Sequence, residues 1–218
     1  MDDATRELIL RNLWPMLRAT LQATIPLTAV SFVLGLVLAL LVALARISRI
    51  TPLSLLARGY ISVIRGTPLL VQLFIVFYAL PQFGIVIDPF IAFSLNVAGY
   101  AAEVIRGAIL SIPQGQWEAA ETIGMNYPTT LRRVILPQAA RTAVPPLSNT
   151  LISLVKDTSL ASTILVTELL RVAQLAAAPT FDFFALYGVA AIYYWVICVI
   201  LSFFQGRLET RLGRYVLR

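Results

Sequence analysis

Residues 27–45, which read LTAVSFVLGLVLALLVALA, decide the fold because none of their nineteen side chains is ionisable. A helix of this length rises about 28 Å at about 1.5 Å per residue, which is close to the thickness of the hydrocarbon layer of a membrane. Within the stretch, Gly35, Ala39 and Ala43 recur at every fourth position, a spacing that lets a neighbouring helix approach closely in lipid. The sequence therefore predicts a membrane-spanning helix with one packing face.

The composition of the whole chain extends this prediction. Of its 218 residues, 59% are hydrophobic and 13% are charged, and the mean hydropathy is +0.83. An ordinary soluble domain has roughly 45–50% apolar residues, so this excess is too large for a soluble core. Five apolar segments are each long enough to cross a bilayer, at residues 21–45, 60–80, 90–110, 143–165 and 183–204. We predict an all-α membrane protein with five transmembrane helices.

The distribution of basic residues predicts the orientation. The net charge of +6 comes from residues placed between and after the apolar segments, which is typical of topology signals and not of a nucleic-acid-binding surface. Most of them follow the first or third segment or occupy the tail: Arg46, Arg49, Arg58, Arg106, Arg132, Arg133, Arg141, Arg207, Arg211, Arg214 and Arg218. Because basic loops stay in the cytoplasm, we predict a multi-pass membrane protein with its amino terminus outside and its carboxyl terminus inside. Residues 1–16 are then an extracytoplasmic leader, 17–206 the transmembrane domain and 207–218 a cytoplasmic tail.

Several kinds of chemistry are excluded by residue types that the chain lacks. It has no histidine and a single cysteine, Cys198, so we expect no internal disulfide and no Cys/His metal site. A P-loop ATPase needs a lysine after a glycine-rich turn, whereas the sole lysine, Lys156, follows Ser-Leu-Val within an apolar segment. We therefore predict a non-catalytic chain that binds no cofactor of its own.

The segment from about 111 to 141, between the third and fourth apolar segments, is too long for a simple loop. Pro113 and Gly115 are expected to break the preceding helix, and residues 116–123 to form about two helical turns. Gly124 suits a left-handed carboxyl cap, and Pro128 suits the first turn of another helix. These features predict a short helix lying crosswise on the cytoplasmic face.

The same segment resembles the E-A-A-x3-G-x9-I-x-L-P loop of ABC importer permeases, with Val134 in place of the commoner isoleucine. In that family the loop is the coupling helix that docks on the ATPase subunit. The resemblance implies the type I ABC importer permease fold, in which the coupling residues would be Glu118, Ala119, Ala120, Gly124, Met125, Leu136 and Pro137. The alternative interpretation is an ordinary helix at the membrane interface.

Further motifs resemble the polar amino-acid uptake branch of these permeases. They include RGTPLLVQ at residues 65–72, GYAAE at 99–103 and KDTSL at 156–160. Within the branch, LPQFGI at 80–85 and PPLSN at 145–149 resemble L-cystine permeases. The resemblance implies import of L-cystine by alternating access, with basic amino acids, glutamine or glutamate as alternative substrates.

The resemblance also implies that the protein lies in the bacterial cytoplasmic (inner) membrane, and it implies the partners. These are a dimer of ATPase chains that binds ATP and magnesium, a second copy of the permease or a homologue, and an extracytoplasmic amino-acid-binding protein. An alternative from another class is an ion-coupled secondary transporter that works alone.

Polar residues within the apolar segments are candidates for the substrate site, because ionisable groups in a membrane are costly and face a cavity or a partner. We expect Glu103 and Asp157 to face ammonium groups, and Thr67, Ser159 and the backbone near Gly66 to receive carboxylate. The full set of candidates is Arg65, Gly66, Thr67, Tyr100, Glu103, Asp157 and Ser159. Two alternatives stay open: Arg65 and Lys156 only neutralise these acids, and Glu103 forms a local ion pair with Arg106.

Overall fold

A computed structural model describes residues 3–213, and every regular element within this range is helical. The α-helices, numbered in chain order, are α1 Asp3–Ala19, α2 Ile25–Ile47, α3 Thr51–Gly66, α4 Leu69–Phe74, α5 Pro89–Leu110, α6 Gln114–Thr122, α7 Tyr127–Thr130, α8 Leu136–Asp157, α9 Leu169–Ala177 and α10 Phe183–Gly213. The tail residues Arg214 and Arg218, assigned above to the cytoplasm, lie outside the described range.

The first span is longer than its apolar segment. A π-helical turn, Thr20–Thr24, joins α1 to α2, so Asp3–Ile47 forms one helix of 45 residues. The π turn lies just before Pro26, whose ring nitrogen cannot donate to the preceding turn, and such prolines are a common cause of local rewinding. The predicted boundary between a leader and the transmembrane domain, at residues 16 and 17, falls inside this helix.

The second apolar segment is not the single span that the sequence predicts over residues 60–80. Helix α3 and the helical segment Leu69–Phe83 meet at 107°. Thr67 and Pro68 between them have extended backbone, with ψ of 147° and 138°. A residue before proline is disfavoured in the helical region, which explains why the chain breaks here and is not merely loosened.

The remaining elements complete five possible spans. Two helices, Asp3–Ile47 and Phe183–Leu212, are long and apolar enough to cross a membrane unbroken. Three further pairs of helices are bent, and each pair can count as one broken span: α3 with Leu69–Phe83, α5 with α6 at 65°, and Tyr127–Ile164 with α9 at 49°. The described residues therefore contain up to five spans. The predicted all-α architecture with five spans is confirmed at this level.

The centre of the bundle is α5, which packs against α2 on one side and α3 on the other. A Cβ atom added to Gly35 would lie 2.5 Å from Cγ1 of Val97, so only glycine fits at this contact. Gly99 meets Ile64 of α3 in the same way, again at 2.5 Å from a side-chain carbon. Ala39 and Ala43 are wholly buried. The packing face predicted from small residues on the first span is thereby confirmed.

A buried carboxylate holds the bend before α9. Glu168 is wholly buried, and its side chain accepts hydrogen bonds from the backbone N–H groups of Leu170 at 2.9 Å and Arg171 at 2.8 Å. The hydroxyl of Tyr194 on α10 donates to the same carboxylate at 2.6 Å. Glu168 thus caps the amino end of α9 and joins that helix to α10.

The contact between Glu168 and Tyr194 predicts a stability effect. In Tyr194→Phe the carboxylate keeps its backbone donors but loses the hydroxyl, so we expect a loss of about 1 kcal/mol, a typical value for a hydrogen bond within a membrane bundle. In a protein of this size that loss lowers Tm by about 2–4 °C. Thermal unfolding of the purified protein in detergent measures it, with Tyr187→Phe at an exposed position of α10 as the matched control. Equal melting temperatures for the two variants would contradict the prediction.

Candidate functional site

A polar cavity of about 470 Å³ lies between α5 and α8, beside the start of α4. Its volume falls within the range of about 300–1,000 Å³ that is typical of small-molecule sites. The lining residues are Leu69, Asn96, Val97, Tyr100, Asn149, Thr150, Ser153, Leu154 and Asp157. Six of these nine side chains are polar, which is unusual in the interior of so apolar a chain and makes the cavity the candidate substrate site.

Helical periodicity explains how the polar side chains meet. Asn96 and Tyr100 are four residues apart on α5 and therefore lie on one face of that helix. On α8, Asn149, Ser153 and Asp157 repeat at the same spacing, with Thr150 beside them. The two polar faces oppose each other across the cavity.

Two of the predicted substrate residues, Tyr100 and Asp157, line the cavity. Asp157 is half-buried and is the lining residue that carries a charge, whereas its neighbour Lys156 is exposed. Arg65 lies just outside the lining, with its guanidinium carbon 5.8 Å from the centre of the Tyr100 ring in a cation–π contact. The structure thus brings Arg65, Tyr100 and Asp157 to one region of the bundle.

Glu103 is placed differently from Asp157. Its carboxylate makes two-pronged contact with Arg106, with Nη2 to Oε2 at 2.8 Å and Nε to Oε1 at 3.0 Å. Such bidentate pairs are among the stronger side-chain hydrogen bonds. Glu103 does not line the cavity. It forms the local ion pair with Arg106 that the sequence analysis gave as an alternative.

The predicted carboxylate-binding hydroxyls are also engaged elsewhere. The Thr67 hydroxyl donates to the backbone oxygen of Val63 at 2.8 Å, and that of Ser159 donates to the backbone oxygen of Lys156 at 2.7 Å. Gly66 is exposed at the end of α3. None of Gly66, Thr67 and Ser159 lines the cavity.

Four polar cavity residues were not among the sequence candidates: Asn96, Asn149, Thr150 and Ser153. They are neutral, and the sequence search gave weight to ionisable groups. The signal that identifies them is their spacing, since Asn96 precedes Tyr100 by one helical turn and Ser153 precedes Asp157 by one turn.

The crosswise helix predicted near residues 116–123 is α6, which turns away from α5 by 65°. Gly124 has φ of +78°, and the N–H of Met125 donates to the carbonyl oxygen of Ala120 at 3.0 Å. This is the six-residue closure of a Schellman carboxyl cap, and it confirms the predicted role of Gly124. The expectation for Gly115 was wrong, because Pro113 alone precedes α6 and Gly115 lies in its first turn.

The residues predicted to couple to an ATPase divide into an outer and an inner face of this region. Glu118, Ala119, Gly124 and Pro137 are exposed, Met125 and Leu136 are partly buried, and Ala120 is buried. The small side chain of Ala120 allows α6 to lie flat against the bundle, while Glu118 and Ala119 face outwards. The outer face of α6 therefore presents Glu118 and the small side chain of Ala119, with the large side chain of Ile123 exposed one turn further on.

A hydrogen bond joins α6 to the base of α8. The side-chain amide of Gln138 donates to the side-chain oxygen of Gln116 at 3.0 Å and to the backbone oxygen of Val134 at 2.9 Å. Pro137, which has no N–H, follows a π-helical turn at Leu131–Ile135. The helix that begins at this junction carries Asn149, Ser153 and Asp157 to the cavity, so this hydrogen bond links α6 to the helix that forms one wall of the cavity.

Comparisons with known proteins agree with this architecture. The chain is 56% identical over 215 residues to the L-cystine transport system permease protein TcyB of Bacillus subtilis, covering 96% of this chain and 92% of the relative. It is 44% identical to the probable amino-acid ABC transporter permease protein YckA of Bacillus subtilis, covering 88% and 87% of the two chains. Among solved structures, an amino acid ABC transporter with histidines matches with a TM-score of 0.80 and 35% identity, over 94% of each chain.

These likenesses confirm the predicted type I ABC importer permease fold and the predicted role as a membrane component of an ABC transporter. Residues 31–214, which contain the cavity and α6, match the family described as binding-protein-dependent transport system inner membrane component. The chain belongs to that family of binding-protein-dependent transport system inner membrane components.

Proposed function

We propose that the chain is the permease subunit of an ATP-driven importer of L-cystine, and that the polar cavity between α5 and α8 receives the amino acid during transport. The observation that carries the proposal is the opposition of Asp157 on α8 to Asn96 and Tyr100 on α5 in a cavity of about 470 Å³. The 56% identity to an L-cystine permease supports the choice of substrate.

The cavity offers complementary groups for both ends of an amino acid. The carboxylate of Asp157 binds an ammonium group, an interaction that strengthens in the low dielectric of a membrane bundle. The hydroxyls of Thr150 and Ser153 and the amide of Asn149 can donate to a carboxylate. Arg65, stacked on Tyr100, places a guanidinium at the edge of the cavity for a second carboxylate.

Energy for transport comes from a separate ATPase dimer that binds ATP and magnesium and docks on the exposed face of α6. The hydrogen bond between Gln116 of α6 and Gln138 of α8 supports this role, because it would couple a displacement of α6 to the helix that carries Asp157. A second copy of the permease, or a homologue, completes the pore, and an extracytoplasmic binding protein delivers the amino acid. In this arrangement the amino terminus is outside and the carboxyl terminus is inside.

A basic amino acid is the second candidate substrate, because the lining residue that carries a charge is an acid. Glutamine and glutamate are further alternatives from the resemblance, and glutamate would require Arg65 to outweigh Asp157. A secondary transporter driven by an ion gradient is the alternative from another class.

The dependence on ATP distinguishes these functions. In vesicles that contain the permease, its ATPase and the binding protein, we expect radiolabelled cystine uptake to require ATP, and we expect an ion gradient alone to drive none. Uptake by the isolated chain under an ion gradient would contradict the ATP-driven mechanism. If arginine competes for uptake and cystine does not, the substrate assignment is wrong while the mechanism stands.

Asp157 and Glu103 should behave differently on substitution. In Asp157→Asn we expect roughly tenfold weaker amino-acid binding to the purified permease–ATPase complex, because a hydrogen bond to a charged group contributes about 1.5–3 kcal/mol. In Glu103→Gln we expect less than a threefold change, since Glu103 is already paired with Arg106. Equilibrium binding of radiolabelled cystine without the binding protein measures both. A Glu103→Gln effect as large as that of Asp157→Asn would place Glu103 in the substrate site instead.

A large side chain on the exposed face of α6 should leave the permease folded but prevent the ATPase from docking. In Ala119→Trp we expect the isolated permease to keep its melting temperature, because the position is exposed, but to lose most of the ATPase that co-purifies with wild type. Ala178→Trp, at an exposed position after α9, is the matched control and should keep its ATPase. Full co-purification of the ATPase with Ala119→Trp would argue against docking at this face.

A further inference from the structure

The side chain of Gln72 on α4 connects the break after α3 to the wall of the cavity without lining the cavity itself. Its amide nitrogen donates to the backbone oxygens of Ile64 at 2.8 Å and Thr67 at 3.1 Å, and it lies 2.9 Å from the Thr67 hydroxyl oxygen. Its amide oxygen accepts a hydrogen bond from the side-chain nitrogen of Asn96 at 2.9 Å. Asn96 lines the cavity.

The break explains why a glutamine nitrogen lies at this position. The last carbonyl groups of a helix have no partner within the helix, and Pro68 lacks the N–H that would otherwise be available to one of them. In lipid such groups find no water and must be satisfied by the protein. The Gln72 nitrogen satisfies the carbonyl groups of Ile64 and Thr67.

The need for a donor beside these carbonyl groups fixes the orientation of the Gln72 amide and, through it, that of the Asn96 amide. A flipped Gln72 would direct its oxygen at the carbonyl oxygens of Ile64 and Thr67, an arrangement of acceptors facing acceptors. The Gln72 oxygen must therefore face α5, and Asn96 must present its nitrogen to it. Asn96 is then held in one orientation, with its own oxygen and its second N–H left for other partners.

We propose that Gln72 is a positioning residue for substrate binding: through one hydrogen bond it sets the orientation in which Asn96 meets the amino acid. This inference rests on the proposed function of the cavity. The same hydrogen bonds link the 107° break to the cavity wall. The geometry of the break and the orientation of Asn96 therefore depend on each other.

A double-mutant cycle tests the inference. Radiolabelled cystine, arginine and glutamine are each bound at equilibrium to the purified permease–ATPase complex without binding protein, for wild type, Gln72→Met, Asn96→Leu and the double variant. We expect roughly tenfold weaker binding of the preferred amino acid in Gln72→Met, the size of effect that one or two lost hydrogen bonds produce. The double variant should bind no more than about twofold more weakly than Asn96→Leu, because Gln72 acts through Asn96.

The number of binding sites separates positioning from a purely structural role. Loss of folded protein lowers the number of sites at an unchanged Kd, whereas loss of positioning raises Kd with the number of sites retained. Gln82→Met is the matched control, since Gln82 is exposed and bonds only locally to the backbone of Tyr78, and it should keep the wild-type Kd. An unchanged Kd in Gln72→Met, or additive effects in the cycle, would overturn the inference.

A second variant keeps the test decisive where Gln72→Met does not fold. Gln72→Glu retains the acceptor that faces Asn96 but loses the donor to Ile64, so we expect a lower melting temperature with a Kd within about threefold of wild type. A loss of affinity as large as that of Asn96→Leu would overturn the inference. Wild-type complex that binds none of the three amino acids would overturn the proposed function together with this inference, whereas wild-type binding that Gln72 variants do not alter would remove the inference alone.

Discussion

The constraint on which the rest of this structure depends is that backbone N–H and carbonyl groups in a bilayer must be satisfied by the protein itself. A helix satisfies them automatically, so each place where a helix is interrupted needs a substitute partner. At the break after α3 the partner is the amide of Gln72, and before α9 it is the carboxylate of Glu168. At the start of α8, where a π-helical turn continues into the helix without a bend, the amide of Gln138 bonds the carbonyl of Val134. Polar side chains thus satisfy the backbone at the break after α3 and at the bend before α9.

The breaks between helices also shape the edge of the cavity and the position of α6. The first break brings Leu69 of α4 to the edge of the cavity, next to Asn96 of α5. The turn after α5 releases α6 as a separate short helix on the surface, and Gln138 ties it back to the helix whose far end carries Asp157. Gln72 and Gln138, which bond backbone carbonyl groups, also bond a residue of the cavity wall and a residue of α6, respectively. A straight five-helix bundle would provide neither the cavity edge nor the separate helix α6.

The number of spans and the helix near Glu118 were predictable from sequence, because apolar length and cap residues are local signals. Gly124 is an example, since its left-handed φ follows from its place after a two-turn helix. The break at Pro68 was underestimated, because a proline within an apolar segment is compatible with either a kink or a full break, and tertiary contacts decide between them. Of the substrate candidates, Tyr100 and Asp157 line the cavity, whereas Glu103 is paired with Arg106. The local spacing of Glu103 and Arg106 allowed both interpretations.

The length of the 45-residue helix Asp3–Ile47 determines how far its ends move when the helix tilts. At about 1.5 Å per residue it is roughly 68 Å long, more than twice the hydrocarbon thickness of a bilayer. Its amino-terminal part is anchored to α10, where the Tyr193 hydroxyl donates to the backbone oxygen of Leu13 at 3.0 Å. For a helix of this length that tilts as one rod, a tilt of about 5° about its midpoint displaces each end by roughly 3 Å. Slight rocking within the lipid therefore becomes a movement as large as an atomic contact at the tip.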